Sequence, residues 1–167
     1  MADLDSEINM LAAQLGIALK AHGKMLTLAE SCTGGMLASA ITSIAGSSVW
    51  FDRGFVTYSN AAKIEMLGVS ADTIETKGAV SVETAAEMAQ GALAHSAAQV
   101  SASITGIAGP DGGSAQKPVG TVCFAWMGSN IQLQTSVRHF KGDRHAVRQQ
   151  ATIYIMTELL NALSLFS

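Results

Sequence analysis

A serine in a glycine-rich turn is the first residue of this chain that is suited to nucleophilic chemistry. Ser31 lies in the segment AESCTGG (residues 29–35), between an apolar run at 25–29 and a run of small and apolar residues at 36–44. This pattern predicts a strand, a tight turn and a helix start. A serine there can be an exposed nucleophile, and the helix start favours an anion or a developing oxyanion. The alternative is a structural turn in which Ser31 is a cap. Three further residues of the turn are predicted to bind the substrate: Thr33, Gly34 and Gly35.

A lysine at an unusual helix position could be the base that such a serine needs. In the segment YSNAAK (residues 58–63), Asn60 is the predicted N-cap, which puts Lys63 in the first helical turn. A cation there opposes the helix dipole, and the dipole and burial both lower the pKa of the amine. A neutral amine can accept the proton of a serine, and Tyr58 could relay a proton or orient Lys63. The alternative is a solvated lysine beside a half-buried tyrosine.

A long segment without predicted helix or strand follows a short apolar strand. It runs from 105 to 118 and contains several glycines that allow a backbone to approach a ligand closely. Thr105 and Gly106 come at the end of the strand, where open α/β sheets bind ligands. They could offer an N–H group or a hydroxyl to an oxyanion. The alternative is a flexible surface loop.

Two arginines near the start of the last predicted helix could bind an anion. Asp143 is a good N-cap, and Arg144 follows it beside free N–H groups. Arg144 and Arg148 are one turn apart on one helix face, which suits a phosphate or a carboxylate. The alternative is ordinary surface charge, with Arg148 paired to Glu158 or Asp52.

Cys32 is an alternative nucleophile, because a thiol at a helix start has a depressed pKa. Neither Cys32 and Cys123 nor the four histidines have the spacing of a metal site. We therefore expect no metal and no other cofactor.

The order of the predicted elements favours an α/β fold with three layers, α/β/α, around a mixed sheet. We expect a single domain over residues 1–167. The helices are predicted at 5–22, 36–44, 61–67, 70–76, 82–96 and 143–163, and the strands at 25–29, 50–58, 100–105, 119–127 and 131–140.

Composition excludes several classes of protein. The chain is 49% hydrophobic and 14% charged, has a net charge of −3 and contains no block of basic residues. Disorder and non-specific binding to nucleic acid are therefore disfavoured. No apolar run approaches the ~20 residues of a membrane span, and the acidic start lacks a signal-peptide pattern. We expect a cytoplasmic protein, with enough apolar surface for a homodimer or a higher homo-oligomer.

Four motifs occur together in order along nearly the whole chain. They are AESCTGG (29–35), GFVTYSNAAK (54–63), SITGIAGPDGG with KPVG (103–120) and FKGDRHAVR (140–148). In this combination the chain resembles the CinA C-terminal domain family. The longer members of the family also have an N-terminal domain, which the resemblance does not include. The resemblance therefore implies the stand-alone form of the protein.

The resemblance implies an amidohydrolase that converts nicotinamide mononucleotide to nicotinate mononucleotide and ammonia. By motif, Ser31 matches the nucleophile, Lys63 the base and Tyr58 its partner, while Thr105 and Gly106 match positions near the reacting carbonyl. Arg144 and the glycine-rich loop are our candidates for the 5′-phosphate. Two other hypotheses are a nucleotide-binding module without turnover and an interaction protein associated with competence or DNA damage.

Overall fold

A five-stranded mixed sheet forms the centre of the computed structural model, which describes residues 3–165. The sheet order is β2-β1-β3-β4-β5. The strands are β1 (Leu26–Glu30), β2 (Phe51–Val56), β3 (Val100–Gly106), β4 (Thr121–Gly128) and β5 (Ile131–His139). The helices are α1 (Leu4–Ala21), α2 (Met36–Thr42), α3 (Asn60–Leu67), α4 (Ala71–Lys77), α5 (Val82–Ala94) and α6 (Arg144–Ser164), with a short 3₁₀ helix at Ser47–Val49.

The strand pairing follows from the composition of the strands. β1 pairs in parallel with both β2 and β3, and every residue of β1 is buried, as expected for a central parallel strand. β4 pairs antiparallel with β3 and with β5. The predicted hairpin between β4 and β5 is confirmed, and Asn130 in its turn has a φ of 66°.

Helices cover both faces of the sheet, which confirms the three-layer α/β/α fold. α1, α2 and α6 contact one another and enclose the larger apolar core, which includes Leu15, Ile41 and Ile155. On the other face α5 packs against β3 and β4 and also contacts α3 and α4. Ala85 and Ala89 of α5 are buried, and such small side chains allow the helix to approach the sheet closely. No helix among residues 3–165 combines the length and apolarity needed to cross a bilayer.

The ends of several elements differ from the predicted ones. The N-cap of α3 is Ser59, whose Oγ accepts the N–H of Ala62 (3.0 Å), so the prediction of Asn60 was wrong by one residue. Both types cap helices well, so sequence alone does not separate them. The predicted cap Asp143 is confirmed by a 2.9 Å hydrogen bond from the N–H of Ala146.

Several other elements were predicted too long, three of them as follows. β4 begins at Thr121, because Gly120 before it has a φ of +94°, outside the strand region. β2 ends at Val56 instead of residue 58, and α2 ends at Thr42 instead of residue 44. The predicted domain of 1–167 includes Met1, Ala2, Phe166 and Ser167, which lie outside the described residues.

Candidate active site

Ser31 and Lys63 meet at the carboxyl end of the central strand. Ser31 directly follows β1, and its N–H donates to the carbonyl of Ile104 in β3 (3.0 Å). Lys63 lies in α3, and its Nζ is 3.0 Å from the Oγ of Ser31. The exposed fractions are 7% for Ser31 and 1% for Lys63. A serine hydroxyl and an amine are therefore in hydrogen-bond contact, and both residues are almost fully buried.

The surroundings of Lys63 favour a neutral amine. Its Nζ donates to the carbonyl of Thr57 (2.8 Å) and to that of Tyr58 (3.2 Å). With the Oγ of Ser31, Nζ has three oxygen contacts. In the neutral form of the amine, its two N–H groups bond the carbonyls and its lone pair faces Ser31. Burial lowers the pKa of Lys63 from its usual 10.5. The alternative of a solvated lysine is wrong.

The two parts of Tyr58 have different partners. Its carbonyl accepts the hydrogen bond from Lys63, whereas its hydroxyl accepts one from Nη2 of Arg144 (3.1 Å). The side chain is 62% exposed. The phenol therefore supports Arg144, and the backbone is the part of Tyr58 that orients Lys63.

Thr105 and Gly106 lie at the carboxyl end of β3, as predicted, and line the same cavity as Ser31. The Oγ1 of Thr105 donates to the carbonyl of Ala79 (2.8 Å), so its proton already has an acceptor. A side chain at Gly106 would come within 2.9 Å of the Thr121 carbonyl, so the glycine permits the close packing of this wall.

A cavity of about 270 Å³ opens in front of the serine and the lysine. Charged groups lie at its rim, where Asp111 and Arg144 are exposed. The walls come from the turn after β1, the start of α3, the segment before α5, the loop after β3 and the start of α6. The lining residues are Ser31, Cys32, Tyr58, Asn60, Lys63, Ala79, Val80, Thr105, Gly106, Ile107, Ala108, Gly109, Asp111, Gly112 and Arg144.

The start of α2 is occupied by a carboxylate of the chain itself. Glu30 is 1% exposed, and its Oε1 accepts the hydroxyl of Thr33 (2.6 Å) and the N–H of Leu37 (3.0 Å). Its Oε2 accepts the N–H of Ala38 (3.0 Å). The expectation that these first N–H groups are open to an anion was therefore wrong.

The predicted substrate-binding residues of the turn lie behind the cavity wall. Thr33 is fully buried, and its hydroxyl is directed to Glu30. Gly34 and Gly35 have φ values of +57° and +101°, which glycine adopts without strain. Among the described residues the structure brings Ser31 and Cys32 of this turn to the cavity, but not these three.

The two arginines of α6 have different positions. Arg144 donates from Nη1 to the carbonyl of Gly109 (2.8 Å), besides its bond to Tyr58, and lies at the cavity. Arg148 donates from Nε to the carbonyl of Cys32 (3.1 Å) and from Nη2 to that of Thr33 (2.9 Å). Arg148 thus binds the turn, and its suggested pairing with Glu158 or Asp52 was wrong.

Cys32 does not have the depressed pKa that its place near a helix start suggested. Burial raises the pKa of the thiol to about 12, and the carboxylate of Glu30 adds to this, while Arg148 and Arg144 act weakly in the opposite direction. The side chain is 6% exposed and belongs to the apolar core. At neutral pH the group is a thiol, which is a poor nucleophile.

The sequence analysis missed Glu30 and the role of Arg148. Glu30 had one signal, because it is the single acidic residue in a strand that is otherwise apolar or small and directly precedes the turn. The contacts of Arg148 join residues more than a hundred positions apart, which no local pattern reports. Within residues 3–165, no cluster of three or more His, Cys, Asp or Glu side chains could hold a metal ion.

Comparison with known proteins identifies the family. The model of the CinA C-terminal domain matches residues 8–163. The chain belongs to the CinA C-terminal domain family. It is 55% identical to the nicotinamide-nucleotide amidohydrolase PncC of Enterobacter agglomerans over 93% of this chain and 95% of that protein. It is 56% identical to the PncC of Escherichia coli K12 over 93% and 94% of the two chains.

Solved structures of CinA proteins have the same fold. The competence damage-inducible protein A of Klebsiella pneumoniae superposes with a TM-score of 0.92 at 39% identity, covering 96% of this chain and 99% of that one. The four motifs thus lie on a family fold in which β1, α3, β3 and α6 converge on one cavity. This CinA domain places a serine, a buried amine and an exposed guanidinium around that cavity.

Proposed function

We propose that this CinA domain hydrolyses the carboxamide of nicotinamide mononucleotide to nicotinate mononucleotide and ammonia. The observation that carries the proposal is the 3.0 Å contact between Ser31 and a buried amine whose pKa is lowered. The names of the PncC relatives supply the substrate. The reaction needs a nucleophile and a base, and in this proposal Ser31 is the nucleophile and Lys63 is the base.

The reaction proceeds through an ester of Ser31. Lys63 accepts the hydroxyl proton as the Oγ attacks the carboxamide carbon. The C–N bond then breaks, and the ammonium of Lys63 returns its proton to the leaving nitrogen, which departs as ammonia. Water loses a proton to Lys63 and attacks the ester, and Ser31 recovers its proton as nicotinate mononucleotide leaves. The base is neutral at the beginning and the end of the cycle.

The oxyanion is held by backbone N–H groups of the turn. The carbonyl of Ser31 accepts from the N–H of Gly34 (3.0 Å), and the carbonyl of Cys32 accepts from Arg148. A trans peptide directs its N–H opposite to its carbonyl, so these two bonds fix the directions of the Cys32 and Thr33 N–H groups. We assign the N–H of Cys32, which follows the nucleophile and lines the cavity, as the principal donor.

Arg144 binds the phosphate at the opposite end of the substrate. Two of its N–H groups are used by Gly109 and Tyr58, which leaves further donors of the guanidinium for a dianion. Tyr58 therefore acts on substrate binding through its hydroxyl and on Lys63 through its carbonyl. Thr105 and Gly106 form the wall beside the reacting carbonyl, and Gly109 and Gly112 form the backbone rim.

We infer a cytoplasmic location and a homodimer. Cys32 and Cys123 are both buried free thiols, which fits a reducing compartment. Exposed apolar side chains occur in three elements that follow one another along the chain, namely the 3₁₀ helix, the edge strand β2 and α3: Val49, Val56, Ile64 and Met66. We call this set the β2-edge patch and propose that it covers the same patch of a second copy.

Release of ammonia from nicotinamide mononucleotide tests the proposed function. The wild-type protein should release one ammonia per nicotinate mononucleotide, and Ser31→Ala should reduce kcat on the order of 10³-fold or more. The matched control is Ser48→Ala, which changes an exposed serine of the 3₁₀ helix and should leave the rate unchanged. Calorimetric binding of the nucleotide without any ammonia would instead support the binding module, and full activity of Ser31→Ala would exclude the mechanism.

A further inference from the structure

The turn that carries Ser31 depends on distant groups for its shape. Gly35 is the N-cap of α2, and it has no side chain that could cap the helix. Both Gly34 and Gly35 have positive φ values. Glycine is the most flexible residue, so two in succession fix a conformation poorly by themselves. A nucleophile needs a defined geometry, because a displacement of about 1 Å costs as much as 10²-fold in rate.

Glu30 holds one side of this turn. Its carboxylate accepts from Thr33 within the turn and from Leu37 and Ala38 in the first turn of α2. No basic side chain pairs with Glu30 in the described part of the chain, so its carboxylate is held by these hydrogen bonds and the positive end of the helix dipole. Because the Glu30 carboxylate is bonded to Thr33 and the start of α2, it does not pair with Lys63.

Arg148 holds the other side of the turn from α6. It binds the carbonyls of Cys32 and Thr33, and these are the residues that follow the nucleophile. Since the peptide between Cys32 and Thr33 is planar, this contact also fixes the direction of the Thr33 N–H. Neither Arg148 nor Glu30 is among the residues that line the cavity in the described part of the chain.

We propose that Glu30 and Arg148 are positioning residues that clamp the Ser31 turn, with the carboxylate fixing its side chains and helix start and the guanidinium fixing its carbonyls. The inference rests on the proposed amide hydrolysis. Because the clamp acts on the geometry of the nucleophile and of the oxyanion donors, its loss lowers kcat. Because neither side chain touches the substrate, KM is retained.

Single substitutions test the two halves of the clamp. Glu30→Gln and Arg148→Gln should each lower kcat by about 10- to 100-fold, with KM for nicotinamide mononucleotide changed by less than about twofold. The pH at which activity is half-maximal should not move, since burial sets the pKa of Lys63. An unchanged kcat in a folded variant, or a rise of KM alone, would overturn the proposal.

Matched controls separate the clamp from general effects of lost charge. Glu87 accepts a backbone N–H from Ser70 (3.0 Å), as Glu30 does from α2, but it lies on α5. Arg138 on β5 stacks over the ring of Tyr154, with 4.8 Å between its Cζ and the ring centroid. Glu87→Gln and Arg138→Gln should retain the wild-type kcat, and a loss equal to that of the clamp variants would overturn the proposal.

The double variant tests whether Glu30 and Arg148 act on one element. If both fix the same turn, the second substitution adds little to the first, so the combined loss is much smaller than the product of the single losses. Losses that multiply would mean independent roles and would overturn the clamp.

Amide hydrogen exchange tests the clamp without turnover. The N–H groups of Leu37 and Ala38 should be protected in the wild type and should exchange faster in Glu30→Gln. Thr33→Val, which removes the hydroxyl donor of the turn, provides a second variant if Glu30→Gln does not fold. A wild type that releases no ammonia would exclude the proposed function, and exchange would still decide the clamp: lost protection supports it and unchanged protection overturns it.

Discussion

Lys63 and Glu30 are two buried ionisable side chains that do not pair with each other. Both are 1% exposed, yet Glu30 is bonded to α2 and Thr33, while Lys63 is bonded to two carbonyls and Ser31. A buried ion pair would have held the amine in its charged form. Without a carboxylate partner, the lowered pKa of Lys63 favours the neutral form, whose lone pair can accept the serine proton.

The activity should depend on the protonation of Lys63. Below the lowered pKa the amine is an ammonium and cannot accept the Ser31 proton, so kcat/KM should fall as the pH decreases through that value. Above it, the activity should reach a plateau, and the midpoint of the rise should lie below pH 10.5, the usual pKa of lysine. The measurement is kcat/KM for nicotinamide mononucleotide against pH.

Lys63→Met should lower kcat by about 10²- to 10⁴-fold across the pH range. A kcat equal to that of the wild type would contradict the assignment of Lys63 as the base.

The same pKa shift predicts the direction of a stability change. The unfolded chain binds a proton at Lys63 up to about pH 10.5, whereas the folded chain releases it at lower pH. The unfolded state therefore binds more protons between the two values, and the free energy of unfolding should rise with pH in that window. Urea unfolding at a series of pH values below 10.5 measures the slope. The slope should be smaller in Lys63→Met, and equal slopes would show that Lys63 titrates normally.

Cys32 should be dispensable for the reaction. Since its thiol has a pKa of about 12 and lies in the core, it is protonated and shielded at neutral pH. Cys32→Ala should therefore keep most of kcat and lose only some stability through the small cavity, about 1 kcal/mol. Ammonia release and thermal unfolding of the variant provide the check. A loss of activity as large as that of Ser31→Ala would move the nucleophile to Cys32.

At the scale of elements, the sequence predicted which helices and strands exist because each has a clear local signal. The buried apolar β1, the caps of α5 and α6 and the hairpin turn all show the expected residue types. The N-cap of α3 was missed because Ser59 and Asn60 are equally suitable. The direction of the Tyr58 phenol and the contacts of Glu30 and Arg148 depend on how distant elements pack, so the sequence of any one segment does not contain them.

The packing of α5 against α3 should control the position of Lys63. Gly91 of α5 lies against the carbonyl of Leu67 in the last turn of α3, and an added Cβ would overlap that oxygen. Gly91→Ala must displace α3, which carries Lys63. We expect a loss of about 1–3 kcal/mol in stability and a lower kcat in the folded protein. Thermal unfolding and steady-state kinetics measure the two effects.

Gly16→Ala is the control for this prediction. A Cβ at Gly16 would overlap the ring of Trp50, with 2.6 Å to its Cζ2, so the variant also suffers a steric clash. Gly16 lies in α1, on the other side of the sheet from α3 and α5. The Gly16→Ala protein should therefore be less stable than the wild type but keep its kcat. A similar loss of kcat in both variants would show that lower stability, and not the position of α3, explains the effect.

At the scale of the whole molecule, the fold brings its chemical groups to one edge of the sheet. The parallel strands β1 and β3 both end at the cavity, which is where open α/β sheets bind ligands. The chain has a net charge of −3, yet two arginines of α6 lie at or beside the site. The site thus suits an anionic small molecule, while the sequence contains no block of basic residues of the kind that binds nucleic acid.

The β2-edge patch should determine the oligomeric state. β2 is an edge strand, and an edge with apolar neighbours favours association unless it is covered. Light scattering coupled to gel filtration should give twice the mass of the chain for the wild type.

Val56→Glu places a charge within the β2-edge patch, where the valine is 46% exposed, and should give the mass of one chain. Ile17→Glu alters an apolar residue of α1 that is 72% exposed and should remain dimeric. Because the cavity is built from one chain, the Val56→Glu monomer should keep its kcat. A wild-type monomer, or a Val56→Glu dimer, would exclude this patch as the interface.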